Sequence, residues 1–282
     1  MTTPEELLRT GFRKWDQDFH YLLECFCRML AGIGEHQLAS LVEHTFLAPP
    51  APEGRLPERG PQALSIAFQL LNMAEENTAN QLRRLRETAF GPASEQGSWP
   101  YQLHQLRLAG FTEAELREAF PHVHMQPVLT AHPTEAKRAT VLEHHRELYL
   151  LLVERENPNR SPMEQEGMRR AIEAVLERLW RTGEIFLERP DVDAEVRNVL
   201  HYLASVFPAV LPILTDRYRQ SWEWAFPGTE PPPEPRLTFG NWVGGDRDGH
   251  AGVTTEVTVR TLETFREAAL RLWREHLEQA AA

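Results

Sequence analysis

The sequence predicts a mainly α-helical protein with a few parallel strands, on three observations. Long stretches place apolar residues three and four positions apart among charged ones, the period of a helix face. Two short runs of strand formers are each followed by a tight turn or glycine loop and then by a new helical pattern. The composition, 41% hydrophobic and 25% charged over 282 residues, is that of a globular chain with enough apolar side chains for a core.

From about Pro4 to Phe46, Leu, Phe, Trp and Met recur at helical spacing, which predicts a helical opening. Ala48 to Gln62 holds five prolines and two glycines and predicts a loop. A helix resumes over Ala63 to Ala89, with Ile66, Leu70, Leu71 and Ala74 on one face and Arg83, Arg84 and Arg86 near its C-terminal end, until Gly91-Pro92 stops it. A shorter helix is expected over Thr112 to Phe120, with Thr112 as N-cap and Glu113 and Glu115 in the first turn. Met125-Gln-Pro-Val-Leu-Thr130 reads as a strand, followed by a tight turn and a helix to about Glu156. Helices near Glu164 to Phe186 and Ala194 to Trp224 follow, separated by Arg189-Pro190. Arg236-Leu-Thr-Phe-Gly-Asn-Trp-Val243 is the second strand, Gly244 to Gly252 a loop, and Thr254 to Ala282 a helix capped by Thr254 with Glu256 in its first turn. Two strand–loop–helix units are the grammar of a parallel sheet or barrel, but two strands cannot close a barrel, and Leu270, Trp273 and Leu277 of the last helix require a packing partner. The expected organisation is an α-helical region over 1–120 and the two strand–loop–helix units over 121–282.

The net charge of −11 argues against non-specific attraction to nucleic acid, so an anionic ligand has to be held by a local cluster of cations. No run approaches the roughly 20 apolar residues of a membrane helix and the N-terminus has no apolar leader, which predicts a cytoplasmic protein with no membrane partner. Cys25 and Cys27 lie two apart on a helical pattern, point to different faces and are expected to be small buried or half-buried hydrophobes.

Two loops carry candidate chemistry. In Thr130-Ala-His-Pro-Thr-Glu135, His132 follows a strand, Pro133 fixes the turn and Thr134 can cap the next helix, so the imidazole faces a helix N-terminus that attracts phosphate or carboxylate. The alternative is a histidine that only hydrogen-bonds a neighbouring loop. In Gly244-Gly-Asp-Arg-Asp-Gly249, Gly244 and Gly245 allow close approach to the backbone, and Arg247, flanked by Asp246 and Asp248, can grip a planar carboxylate, bicarbonate or phosphate. The alternative is a solvated turn with an internal salt bridge. A calcium loop at Asp246 and Asp248 fails because Ala251 and Val257 stand where glycine and a bidentate acid are needed. His122, His124, His144 and His145 fit no zinc frame.

Val128-Leu-Thr-Ala-His-Pro-Thr-Glu135 with Arg138, and Trp242-Val-Gly-Gly-Asp-Arg-Asp-Gly249, resemble the two N-terminal signatures of the phosphoenolpyruvate carboxylases. Between them Trp180-Arg-Thr-Gly-Glu-Ile185 with Arg189-Pro190 is similar to that family's tryptophan–threonine–glutamate segment, and Ala67 to Asn80 resembles its early helix. The resemblance implies the N-terminal portion of a helix-rich (β/α)8 barrel of the phosphoenolpyruvate/pyruvate type, incomplete in this chain. It implies carboxylation of phosphoenolpyruvate by bicarbonate to oxaloacetate and phosphate, an anaplerotic supply to the tricarboxylic acid cycle, in a homotetramer that uses Mg2+ or Mn2+. His132 then corresponds to the catalytic histidine, Arg247, Gly244 and Gly245 line the anion pocket, Arg138 adds positive charge, and Asp246 and Asp248 orient those groups. Ala139, Phe186 and His250-Ala251 depart from the family pattern, which has arginine at the first two places and Asn-Pro at the last. The metal ligands and the remaining phosphate-binding arginines belong to later family sequence, so the chain alone is expected to be inactive, as a fragment or as one of two polypeptides. A non-catalytic anion-binding module derived from the family is the second reading, and a metal-dependent hydrolase using His132, Asp246 and Asp248 a third.

Overall fold

The computed structural model describes residues 3–48, 55–130, 139–182, 191–248 and 252–281. These group into two compact units: one from 1–91 with 137–186, the other from 92–136 with 187–282.

The first unit is helical. α1 (Pro4–Gly32) starts at a reciprocal cap, with Thr3 Oγ1 accepting from the Glu6 N–H at 3.2 Å and Glu6 Oε2 accepting from the Thr3 N–H at 2.7 Å. The predicted helical opening is two helices, because Gly34 adopts φ +89 and turns the chain into α2 (His36–Phe46). α3 (Gly60–Phe90) begins three residues before the expected Ala63 and is stopped by Gly91. Gly11 of α1 lies under Leu82 of α3, where a Cβ would come within 2.4 Å of Leu82 Cδ1. α6 (Ala139–Glu154) and α7 (Pro162–Arg181) belong to this unit, and Leu22, Phe26, Leu30, Ile66, Leu70, Leu148, Ile172 and Trp180 share one core. Cys25 is fully buried and Cys27 half-buried in that core, both as free thiols.

Among the described residues one acidic side chain, that of Asp18, is buried. Asp18 is 1% exposed and accepts from Lys14, from Asn77 Nδ2 at 2.9 Å and from Arg155 Nη2 at 3.3 Å. Asn77 also donates to Glu156 at 2.7 Å, and Arg155 stacks over the Tyr21 ring at 4.0 Å. A carboxylate withdrawn from water persists only with partners of this kind.

The second unit holds α4 (Trp99–Leu108), which the sequence did not reveal, and α5 (Glu113–Ala119), capped by Thr112 and Glu115 as expected. Leu103, Leu116 and Phe120 pack on Tyr218, Trp222 and Ala225 of α9 (Phe207–Ala225). α8 (Val192–His201) runs into α9 through a widened π turn, Tyr202–Val206, which ends two residues before Pro208, whose missing N–H and bulky ring disfavour an ordinary helical turn. The continuous helix Val192–Ala225 contains an 18-residue window of mean hydropathy 1.4 that is only 6% buried. By length and composition alone it is long and apolar enough to cross a membrane, contrary to the expectation from run length. An average tolerates His201, Pro208 and Pro212 where an uninterrupted apolar run does not.

Four short strands lie among the described residues of the second unit. β1 (His124–Met125) pairs in parallel with β3 (Arg236–Leu237), and β2 (Val128–Leu129) in parallel with β4 (Gly240–Asn241). Both ladders keep one register: His124 faces Arg236 and Val128 faces Gly240, each partner 112 positions further on. Hydrogen bonds continue through the gap, from Thr238 N–H to Met125 O at 3.0 Å and from Gly240 N–H to Pro127 O at 2.9 Å. The two predicted strands therefore form one parallel ribbon, and Pro127, which has no N–H to donate, accounts for its division into two ladders. α10 (Thr255–Ala281) follows, with Thr254 Oγ1 accepting from the Val257 N–H at 3.3 Å as the expected cap.

Candidate anion site at the end of the parallel ribbon

Parallel strands run in one direction, so the segments that leave them start from the same end. Leu129 faces Asn241, and the ladder ends where Trp242 N–H donates to Leu129 O at 2.9 Å. The chain departs from β2 at Thr130 and from β4 at Trp242, with His132 two residues beyond the first point and Arg247 five beyond the second. His132 and Arg138 lie outside the described residues, so the geometry of the site is that of the second loop.

That loop is held at its root from several sides. Trp242 O accepts from the N–H groups of Gly245 at 3.0 Å and Asp246 at 2.8 Å. Gly244 takes φ +74, the positive value required at the third position of such a turn. It also lies on α10, since a Cβ there would be 2.3 Å from Thr261 Oγ1 and 2.8 Å from its Cγ2. Thr261 is buried, and its hydroxyl donates to Val257 O at 2.8 Å. Val243 is buried with Val192, Val196, Val199 and Val253, which ties the root of the loop to α8 and the start of α10. The Asn241 carboxamide takes up both backbone groups of Val243: Nδ2 donates to its carbonyl at 2.8 Å and Oδ1 accepts from its N–H at 3.0 Å.

Beyond this root the loop is exposed. Asp246 Oδ1 accepts from the Asp248 N–H at 3.0 Å, so this carboxylate folds the loop on itself. Arg247 Nη2 donates to Thr255 Oγ1 of α10 at 3.4 Å. Among the described residues no ion pair joins Arg247 to Asp246 or Asp248; the structure brings the arginine to Thr255 instead. Glu256, next along α10, has its carboxyl held below the ordinary value, first by the Thr254 hydroxyl and then by a backbone N–H, with attraction to Arg247 a smaller cause. An arginine projecting from a fixed turn beside a helix N-terminus offers planar donors to a phosphate or carboxylate.

The expected Gly244, Gly245, Asp246, Arg247 and Asp248 thus share one loop, with roles divided. Gly244 and Asp246 shape the backbone, and Arg247 is the exposed cation of the loop, hydrogen-bonded to Thr255. Asn241, Thr255 and Thr261 were not picked out from the sequence. Asn241 had a signal, a short amide side chain two residues before the backbone it can cap. Thr255 and Thr261 had none, because their contact with the loop depends on where α10 packs. Among the described residues no group of three or more His, Cys, Asp or Glu side chains is placed to hold a metal ion.

The helical core, the parallel ribbon and the glycine–arginine loop belong to a known class of protein. The family model for phosphoenolpyruvate carboxylase matches residues 59–281, and the chain belongs to that family. It is similar to phosphoenolpyruvate carboxylases from Methylorubrum extorquens (35% identical over 77% of this chain and 24% of the relative), Xanthomonas euvesicatoria (32%, over 78% and 24%) and Roseiflexus castenholzii (32%, over 74% and 22%). The chain spans about a quarter of the length of these curated relatives.

Proposed function

We propose that this chain is the part of a phosphoenolpyruvate carboxylase that supplies the catalytic histidine, His132, and the anion-binding loop of Arg247. The reaction converts phosphoenolpyruvate and bicarbonate to oxaloacetate and phosphate. The observation that carries this reading is the parallel register of Leu129 with Asn241, which sends the two signature segments off the same end of one ribbon. In the proposed site Arg247 binds the phosphate or carboxylate of the substrate, and Arg138 adds positive charge. Bicarbonate attacks the phosphoryl group, and His132 accepts the proton of the resulting carboxyphosphate, so that CO2 is released beside the enolate carbon that it joins. A divalent cation, Mg2+ or Mn2+, would supply stabilisation of the enolate, and the family resemblance assigns its ligands to sequence other than the part that this chain matches.

In this reading residues 121–282 form the first two strand–loop–helix units of a (β/α)8 barrel, and 1–120 an N-terminal helical region. Two observations support an incomplete barrel. Parallel strands are ordinarily covered on both faces, yet Met125 and Val128 are exposed, as are Ile213 and Leu214 of α9 and Leu270, Trp273 and Leu277 of α10. The relatives also have about four times the length that this chain matches. Activity, the homotetramer and a cytoplasmic, anaplerotic role belong to the completed protein, and the isolated chain is expected to be inactive.

The test uses the isolated chain. Supplied with phosphoenolpyruvate, bicarbonate and Mg2+, and coupled to malate dehydrogenase, it should form no oxaloacetate; product formation would overturn the claim of incompleteness. Calorimetric titration should show phosphoenolpyruvate binding that Arg247→Ala weakens at least about tenfold, the worth of a charge-assisted hydrogen bond. Binding unchanged by that substitution would remove the loop from the site.

A further inference from the structure

We infer that Asn241 is a positioning residue for the anion loop, which fixes the turn from which Arg247 projects by clasping the backbone of Val243. This rests on the reading of Arg247 as the anion-binding group. Asn241 is the last residue of β4, and the ladder to β2 ends at the following N–H, that of Trp242. Among the described residues no strand lies beside Val243 to satisfy its backbone, although its side chain is buried. Unpaired backbone groups at such a place are costly. The carboxamide supplies both missing partners, donating to the carbonyl at 2.8 Å and accepting from the N–H at 3.0 Å. The direction of the amide follows from chemistry, since the N–H requires an oxygen and the carbonyl a donor.

The consequence reaches the guanidinium. Val243 is locked by its side chain among the valines of α8 and by its backbone on Asn241. Gly244 is seated against Thr261, and the next two N–H groups converge on Trp242 O. Arg247 thus stands three residues from a point held on all sides. Without the amide the loop keeps its buried valine but loses the hydrogen bonds that set its direction, and a displaced guanidinium binds less well before the fold itself weakens.

Asn241→Ala and Asn241→Ser test this in the isolated chain. With two hydrogen bonds removed, Asn241→Ala should speed hydrogen exchange at the Val243 amide and weaken phosphoenolpyruvate binding, each about tenfold, while the chain stays folded with its thermal midpoint lowered by a few degrees. Asn241→Ser should recover part of both, because a serine hydroxyl also accepts from the N–H two residues on. Unaltered exchange at Val243 in the alanine variant would refute the clasp. Faster exchange with unaltered affinity would refute the positioning role and leave a structural one. If the unsubstituted chain binds no phosphoenolpyruvate while exchange responds as expected, the anion reading of Arg247 fails and the clasp stands.

Discussion

Replacing Gly244 by alanine puts a methyl group into space that α10 already occupies. The new Cβ would lie 2.3 Å from Thr261 Oγ1, 2.8 Å from its Cγ2 and 2.9 Å from its Cβ, all nearer than carbon contacts allow. The backbone adds a second cost, because φ +74 belongs to the left-handed region, which disfavours an L-residue by about 1–2 kcal/mol. Forcing a methyl into a closed contact costs about 1–3 kcal/mol more, since Thr261 is buried and can move only by giving up its bond to Val257. Gly244→Ala should therefore destabilise the second unit by about 2–5 kcal/mol, measured by urea denaturation with an unchanged m value. Thr261→Ala removes the two nearest side-chain atoms other than Cβ, so the double variant should recover about 1–2 kcal/mol relative to the sum of the singles. A single variant within about 0.5 kcal/mol of the unsubstituted chain, or strict additivity with Thr261→Ala, would show that loop and helix are not in contact as described.

Three further outcomes follow from other parts of the molecule. Asp18→Ala strands Lys14 and Arg155 around a buried site and should cost about 3 kcal/mol, near the low end for a broken buried pair because both cations are partly exposed; a loss below about 1 kcal/mol in urea denaturation would refute it. Burial pushes the Cys25 thiol up to about 11 and that of Cys27 up to about 12, so at pH 8 a disulfide reagent should label the folded chain at least about a hundredfold more slowly than the urea-unfolded one, and equal rates would refute the burial. The Ser161 backbone N–H, then its hydroxyl, hold the Glu164 carboxyl below its ordinary 4.5, so this cap stabilises the fold above the unfolded value and is lost as pH falls through the folded one. Glu164→Gln removes the titrating carboxyl and should flatten that acid limb in pH-dependent thermal unfolding, and an unchanged limb would exclude the cap as its source.

Much of the local structure was legible in the sequence because its causes lie within a few residues. Thr112 with Glu115, and Thr254 ahead of α10, cap helices in the structure as their spacing requires. The two strands appear as the parallel ribbon, with the glycine–arginine loop following the second of them. Other features were hidden even at short range. Gly34 sits in a stretch whose apolar period hardly falters, so the break between α1 and α2 shows only in its positive φ. Pro127 divides the ribbon without ending it, because the carbonyl that it retains still accepts from Gly240.

By itself the sequence determined most of the helical segments, α4 excepted, where two strands pass into loops, and which loop carries the glycines and Arg247, since periodicity, capping and turn chemistry act between neighbours. Tertiary structure alone decided that α6 and α7 complete the core of α1 and α3, that Asp18 is buried with Lys14, Arg155 and Asn77, and that Thr255 and Thr261 bear on the anion loop. These pairings join residues far apart in the chain or on separate elements. What selects them is the burial of apolar faces against one another, a property of the assembled unit that no local pattern encodes.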